Sequence, residues 1–158
     1  MTMLAPMELG IAVRDPQRMI EFYRDVLGCA FVSDVTVPAD KAAANGLAEE
    51  PCTVVRMQTP QGERLKFLAP ATPPDKDAHP RWLLERAGFA YLTFIVGDLD
   101  ARLARLRAAN VEIMSNDPPV VNRPGIRVVF FRDPEGNALE LVEYDDIQAY
   151  RPDLKKRA

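Results

Sequence analysis

The chain has 158 residues, 47% of them hydrophobic and 27% charged, the composition of one ordinary globular domain with room for a sizeable core. A formal net charge of −3 gives no general attraction to nucleic acid or an anionic membrane, and no stretch approaches the length of a bilayer span. Cys29 and Cys52 lie far from metal-ligand spacing, and Pro6 and Glu8 interrupt the opening apolar run short of signal-peptide length, so two reduced thiols in a cytoplasmic protein are expected.

In chain order, residues 7–13 read as a strand with Leu9, Ile11 and Val13 on one side. Asp15 stands where an N-cap belongs and Pro16 at the first helical position, where its missing N–H costs nothing. The helix that follows carries Met19, Ile20, Phe22, Tyr23, Val26 and Leu27 on an apolar face, and Gly28 closes it. Strands are predicted over 29–37, 53–58 and 64–69, with a short Ala-rich helix between the first two that ends at Asn45-Gly46. The prolines at 70, 73, 74 and 80 make residues 70–88 a linker, with a helical turn over 81–86. Beyond it a strand is predicted over 89–96, an N-cap at Asp98, and a helix over 99–109 with Leu99, Leu103 and Leu106 at core spacing. Strands over 111–114, 126–132 and 138–144 complete the pattern, and residues 145–158 are read as a solvated tail ending in Lys155, Lys156 and Arg157.

The halves repeat. Val-x-Asp at 13–15 returns at 96–98, and Pro-x-Gly at 60–62 returns at 134–136, each with the same elements around it. One domain is therefore expected over 1–158, with a first module at about 7–69, the linker at 70–88 and a second module at about 89–144.

Two segments carry a family resemblance: residues 8–28, with Val-x-Asp and Phe22-Tyr23 ahead of Leu27-Gly28, and Arg132-Asp133-Pro134-Glu135-Gly136-Asn137 followed by Leu139-Glu140-Leu141. The chain resembles the glyoxalase / bleomycin-resistance / dioxygenase (vicinal oxygen chelate) superfamily. The resemblance implies an α+β fold of two tandem βαβββ modules, forming a cup-shaped curved mixed sheet with helices outside. It also implies a homodimer, and four inward residues on the first and last strands that usually hold a divalent metal. Those positions, seven residues before each capping aspartate and four after each turn glycine, are Glu8, Lys66, Tyr91 and Glu140. Zinc and iron favour imidazole or thiolate, and an ammonium repels a cation, so no metal and no cofactor is expected. Glu8 and Glu140 alone would suit only a hard ion such as magnesium, the basis of an alternative reading as a metal-dependent glyoxalase-type lyase.

Without a metal, the bland reading makes Lys66 a structural counter-ion between two buried carboxylates. The functional reading makes Glu8, Lys66, Tyr91 and Glu140 catalytic. Lys66 or Tyr91 would stabilise an oxyanion and Glu8 or Glu140 would move a proton, in an isomerase, epimerase or lyase acting on a carbonyl compound. The alternative is a non-enzymatic, bleomycin-resistance-like protein that sequesters a small molecule. Trp82, Thr93, Phe131 and Arg123 are the candidate ligand-binding residues, with Phe31 and Phe130 as further aromatics, although such rings more often serve as core. Arg123 is placed in the loop before the strand at 126–132, where it would meet an acidic group of the ligand. His79, the only histidine, is read as a solvated linker side chain.

Overall fold

The computed structural model describes residues 3–76, 80, 82–116 and 119–156, with the side chains of residues 155 and 156 left out. His79 and Arg81 therefore lie outside the described residues. The chain packs as two compact units, Met1–Ala78 and His79–Ala158. The unit boundary falls within the proline-rich segment.

The first unit begins with β1 (Glu8–Ala12), whose alternation leaves Glu8, Gly10 and Ala12 open while Leu9 and Ile11 turn inward. Asp15 caps α1 (Pro16–Glu21), its carboxylate accepting from the Arg18 N–H at 3.0 Å. The predicted single helix then widens into a π-helical stretch over Phe22–Val26 before Gly28, at φ +79°, ends it. The wider turn accompanies burial of two consecutive rings. Phe22 and Tyr23 meet edge to face at 5.4 Å, and Tyr23 reaches Phe67 at 5.0 Å. Next come β2 (Ala30–Val37), α2 (Ala39–Ala44), β3 (Cys52–Gln58) and β4 (Arg64–Pro70).

The second unit repeats the plan with β5 (Leu92–Ile95), α3 (Leu99–Ala108), β6 (Val120–Arg123), β7 (Ile126–Arg132) and β8 (Ala138–Tyr144). The two four-stranded mixed sheets have matching orders, β1-β4-β3-β2 and β5-β8-β7-β6, and the first and last strands of each run parallel. The α+β fold read from the sequence is present in both halves. Even the end of each parallel pair recurs: Val13 N–H donates to the Leu68 carbonyl and Val96 N–H to the Val142 carbonyl, both at 2.9 Å.

The structure differs from the sequence reading at four places. Strand β5 starts at Leu92, opposite Leu139, which leaves Phe89 exposed and Tyr91 just outside the strand. Residues 111–114 form only an isolated bridge, Ile113 to Phe131, while the fourth strand of this sheet is Val120–Arg123. The counterpart of the continuous β2 is thus a bridge and a short strand, and Pro119, just ahead of β6, has no N–H to add to the ladder. Arg123 accordingly belongs to a strand and not to a loop: the turn at Pro124-Gly125, with Gly125 at φ +79°, pairs it directly with Ile126. Finally, the tail carries α4 (Ile147–Tyr150), capped by the Asp146 carboxylate at 2.9 Å from the Ala149 N–H. The helical turn in the linker is a 3₁₀ turn over Leu83–Glu85.

Each core lies between its sheet and its helix. Met19, Tyr23, Leu65 and Phe67 fill the first, and Leu99, Leu103, Leu106, Val129, Phe131, Leu139 and Leu141 the second. In the second unit a polar clasp fixes α3 on the sheet. Glu143 accepts from the Leu99 N–H at 3.0 Å and from Arg127, whose guanidinium also holds Asp100. The hydrogen bond from Arg127 pulls the Glu143 carboxyl below its ordinary value, partly opposed by desolvation and aided by the Leu99 N–H. A carboxylate lowered in the folded state stabilises it above the unfolded pKa, and that contribution fades as pH falls through the folded value. Glu143→Gln is expected to lower the urea midpoint at pH 7 and to flatten the midpoint's fall below about pH 4.5. Parallel urea titrations across that range check this, and identical pH profiles for both proteins would contradict the clasp.

Candidate functional site

Strand register settles which side chains share a surface, because residues directly opposite on paired strands point the same way. In the first unit one row across the sheet reads Glu8, Arg64, Gln58 and Ala30, and the next Gly10, Lys66, Arg56 and Ser33. Both rows lie on the face away from Leu65 and Phe67. Glu8 joins the two rows: its carboxylate lies 3.3 Å from Lys66 Nζ and 3.8 Å from the Arg64 guanidinium. Arg64 also donates to the Gln58 side-chain carbonyl at 3.0 Å. The sequence led us to expect buried ions here. Within the chain, however, the Glu8 and Lys66 side chains are 35% and 33% exposed, so water screens their attraction and the pair contributes little to stability.

In the second unit the corresponding row reads Thr93, Glu140 and Phe130. Thr93 Oγ1 donates to Glu140 Oε2 at 2.6 Å, fixing one oxygen of the carboxylate. Tyr91, 48% exposed, sets its ring perpendicular to Phe130 at 5.0 Å. Arg123, Ile126 and Tyr144 form another row on this face. The Tyr144 ring stacks on Tyr150 of α4 at 4.1 Å, and its phenol is pushed up to about 12, first by the hydrogen bond with Tyr150 and then by burial. The charges of Glu140 and Arg123 act on it in opposite senses.

The structure thus joins Glu8 with Lys66 in one unit, and Thr93, Glu140 and Tyr91 on a common surface of the other. Two candidate ligand residues lie elsewhere. Phe131 pairs with Leu139, is completely buried and belongs to the core; parity makes Phe130 the aromatic beside Glu140. Trp82 stands 63% exposed ahead of the 3₁₀ turn, and no strand register brings it to the Glu140 face. A cavity of about 270 Å³ in this unit is lined by Leu83, Phe89, Arg132 and Asn137, among others, and not by Glu140. Sequence reasoning passed over Arg56 and Arg64. The alternation Arg56-x-Gln58 and Arg64-x-Lys66, set against the buried residues between, would have found them.

A family model described as the glyoxalase/bleomycin resistance protein/dioxygenase superfamily matches residues 6–141. The chain belongs to that superfamily. It is also 33% identical over 124 residues to the uncharacterized protein YaeR of Escherichia coli K12, covering 77% of this chain and 82% of YaeR. Among solved structures it resembles a glyoxalase family protein from Bacillus cereus, with a TM-score of 0.76, 23% identity, and coverage of 90% of this chain and 95% of that one. Glyoxalase I of Leishmania major, described as trypanothione-dependent, aligns with a TM-score of 0.62 and 21% identity, over 94% and 91% of the two chains. These structural likenesses show the fold. The names gathered in the family description belong to proteins of small-molecule chemistry and binding.

The residues do not fit the divalent metal that the family implies. An ammonium stands within ion-pair distance of Glu8, at a position where a metal ligand is expected. Among the described residues, no group of three or more histidine, cysteine or acidic side chains gathers to hold an ion. Lysine, tyrosine and two carboxylates offer neither imidazole nor thiolate to zinc or iron.

Proposed function

We propose that the protein is a metal-independent acid–base enzyme acting on a carbonyl compound, as an isomerase, epimerase or lyase. The observation that carries this reading is the Glu8–Lys66 pair, a base and a cation 3.3 Å apart on an open sheet face. Glu8 would take a proton from the carbon beside the carbonyl, and the charge left on the carbonyl oxygen would be met by Lys66 Nζ. Glu8 would then return the proton to the same carbon, to its neighbour, or to a departing group. On the second unit, Glu140 and the Tyr91 hydroxyl offer the same two roles, with Thr93 orienting the carboxylate.

Solvent-deuterium incorporation tests the chemistry without a known substrate. Wild-type protein is incubated in D₂O with a panel of 2-oxo acids, hydroxyketones and aldehydes, and loss of the proton beside the carbonyl is followed by NMR. Wild type is expected to catalyse exchange on at least one compound. Lys66→Met should lower that rate about 10²–10³-fold and Glu8→Gln by a similar factor, both proteins staying folded by circular dichroism. Undiminished exchange by Lys66→Met would remove lysine from the mechanism.

A second reading, sequestration of a flat small molecule, draws on the Tyr91–Phe130 pair, an aromatic surface 48% exposed at Tyr91. Tight binding of aromatic compounds with no exchange on any carbonyl substrate would favour it.

A homodimer belongs to the same proposal. Edge strand β2 exposes Phe31, Val32 and Val35, an apolar edge of the kind that proteins commonly cover. Sedimentation equilibrium is expected to give about twice the chain mass of 17.7 kDa, and a mass of one chain at micromolar concentration would exclude the dimer. A cytoplasmic location is proposed from the free, buried Cys29 and Cys52, the thiol of Cys29 being pushed up to about 11 by burial. No helix among the described residues is long and apolar enough to cross a membrane.

A further inference from the structure

The open face of the first unit carries more positive charge than its one carboxylate balances. Arg56, Arg64 and Lys66 share it with Glu8, and the remaining members of their two rows are Gln58, Ser33, Gly10 and Ala30. Arg56 lies directly opposite Lys66 on the neighbouring strand. Like charges in that relation, with Cβ atoms about 5 Å apart, destabilise a sheet.

How the chain treats its other arginines gives this meaning. Among the described residues the half-buried arginines are 56, 64, 127 and 132. Arg64 has Glu8 within 3.8 Å, Arg127 has Glu143 and Asp100, and Arg132 has Glu112 at 3.4 Å. Among the described residues, the Arg56 side chain has no carboxylate within ion-pair distance and no hydrogen bond. Glu8 is engaged by Arg64 and Lys66 on the far side of the cluster. A half-buried guanidinium beside a second cation, with its planar fork of donors unfilled, is arranged for an oxyanion.

We propose that this face binds the oxyanion group, carboxylate or phosphate, of a small molecule, with Arg56 as the principal donor and Lys66 and Arg64 flanking it. The Ser33 hydroxyl, opposite Arg56 on the other side, supplies a neutral donor. Three cations on one sheet face suit a single anionic group. A polyanion is disfavoured by the chain's net charge of −3. The site shares Lys66 with the acid–base reading and requires none of its chemistry. If both hold, the substrate is a carbonyl compound that also carries an acidic group.

Binding is tested apart from turnover by titrating inorganic phosphate and malonate separately into ¹⁵N-labelled protein, with sodium chloride adjusted to hold ionic strength constant. Saturable amide shifts centred on Ser33, Arg56 and Lys66 are expected with at least one of the two. A response to phosphate alone assigns a phosphate ester and a response to malonate alone assigns a carboxylate. Arg56→Gln should weaken binding about tenfold or more, while its melting temperature without anion equals or exceeds wild type because a like-charge contact is gone. Arg56→Lys keeps the stem and the charge but loses the fork, so it should bind several-fold more weakly, and it decides the matter should Arg56→Gln fail to fold. No saturable shift with either anion, or unchanged affinity in the folded variants, overturns the proposal.

Discussion

The parallel contact between the first and last strands of each unit is the constraint on which the site depends. Parallel strands cannot be joined by a tight turn, so the chain must leave the sheet, run through a helix and two further strands, and return beside its starting point. That route brings Glu8 next to Arg64 and Lys66, and Thr93 next to Glu140, although at least 47 residues separate the partners in sequence. It also covers one side of each sheet with a helix, so that strand alternation commits every second residue to the core and leaves the rest open. Charged residues then stand two apart on a strand whose intervening residues are fully apolar: Arg64 and Lys66 around buried Leu65, with Phe67 beyond.

Much of this was legible in the sequence because it rests on local rules. Asp15 and Asp98 cap helices because their carboxylates reach the N–H three residues on, and Gly28 ends a helix because it adopts a positive φ without steric cost. The duplication was visible because caps and turn glycines recur in order. Other features were hidden by their dependence on distant pairing. Residues 111–114 look like a strand, yet β7 accepts only a bridge there and pairs instead with Val120–Arg123. Two adjacent phenylalanines are equivalent to a reader of composition, but register turns Phe131 into the core and leaves Phe130 beside Glu140. The tail was read as solvated, and both its short helix, capped by Asp146, and the stacking of Tyr150 on Tyr144 required the folded chain. Arg56 was overlooked because an arginine gains significance from what does or does not stand opposite it.

On the proposed reading, a lysine at a position where the family resemblance implies a metal ligand changes what that position can do. A divalent cation polarises a carbonyl by direct coordination, while an ammonium does so through hydrogen bonds and charge, without demanding a full set of donors. Glu8 is then an acidic side chain beside a cation, the combination that proton transfer next to a carbonyl requires. Partial exposure of the pair leaves it accessible to a ligand and makes its own stabilising effect small.

The central claim is that Lys66 takes the place of a metal ion. Elemental analysis tests it most directly: the purified protein is loaded in turn with zinc, manganese, iron and magnesium, desalted, and measured against protein concentration. The expected result is no metal at stoichiometric level under any loading. One ion retained per chain, released on titration to low pH, would contradict the claim.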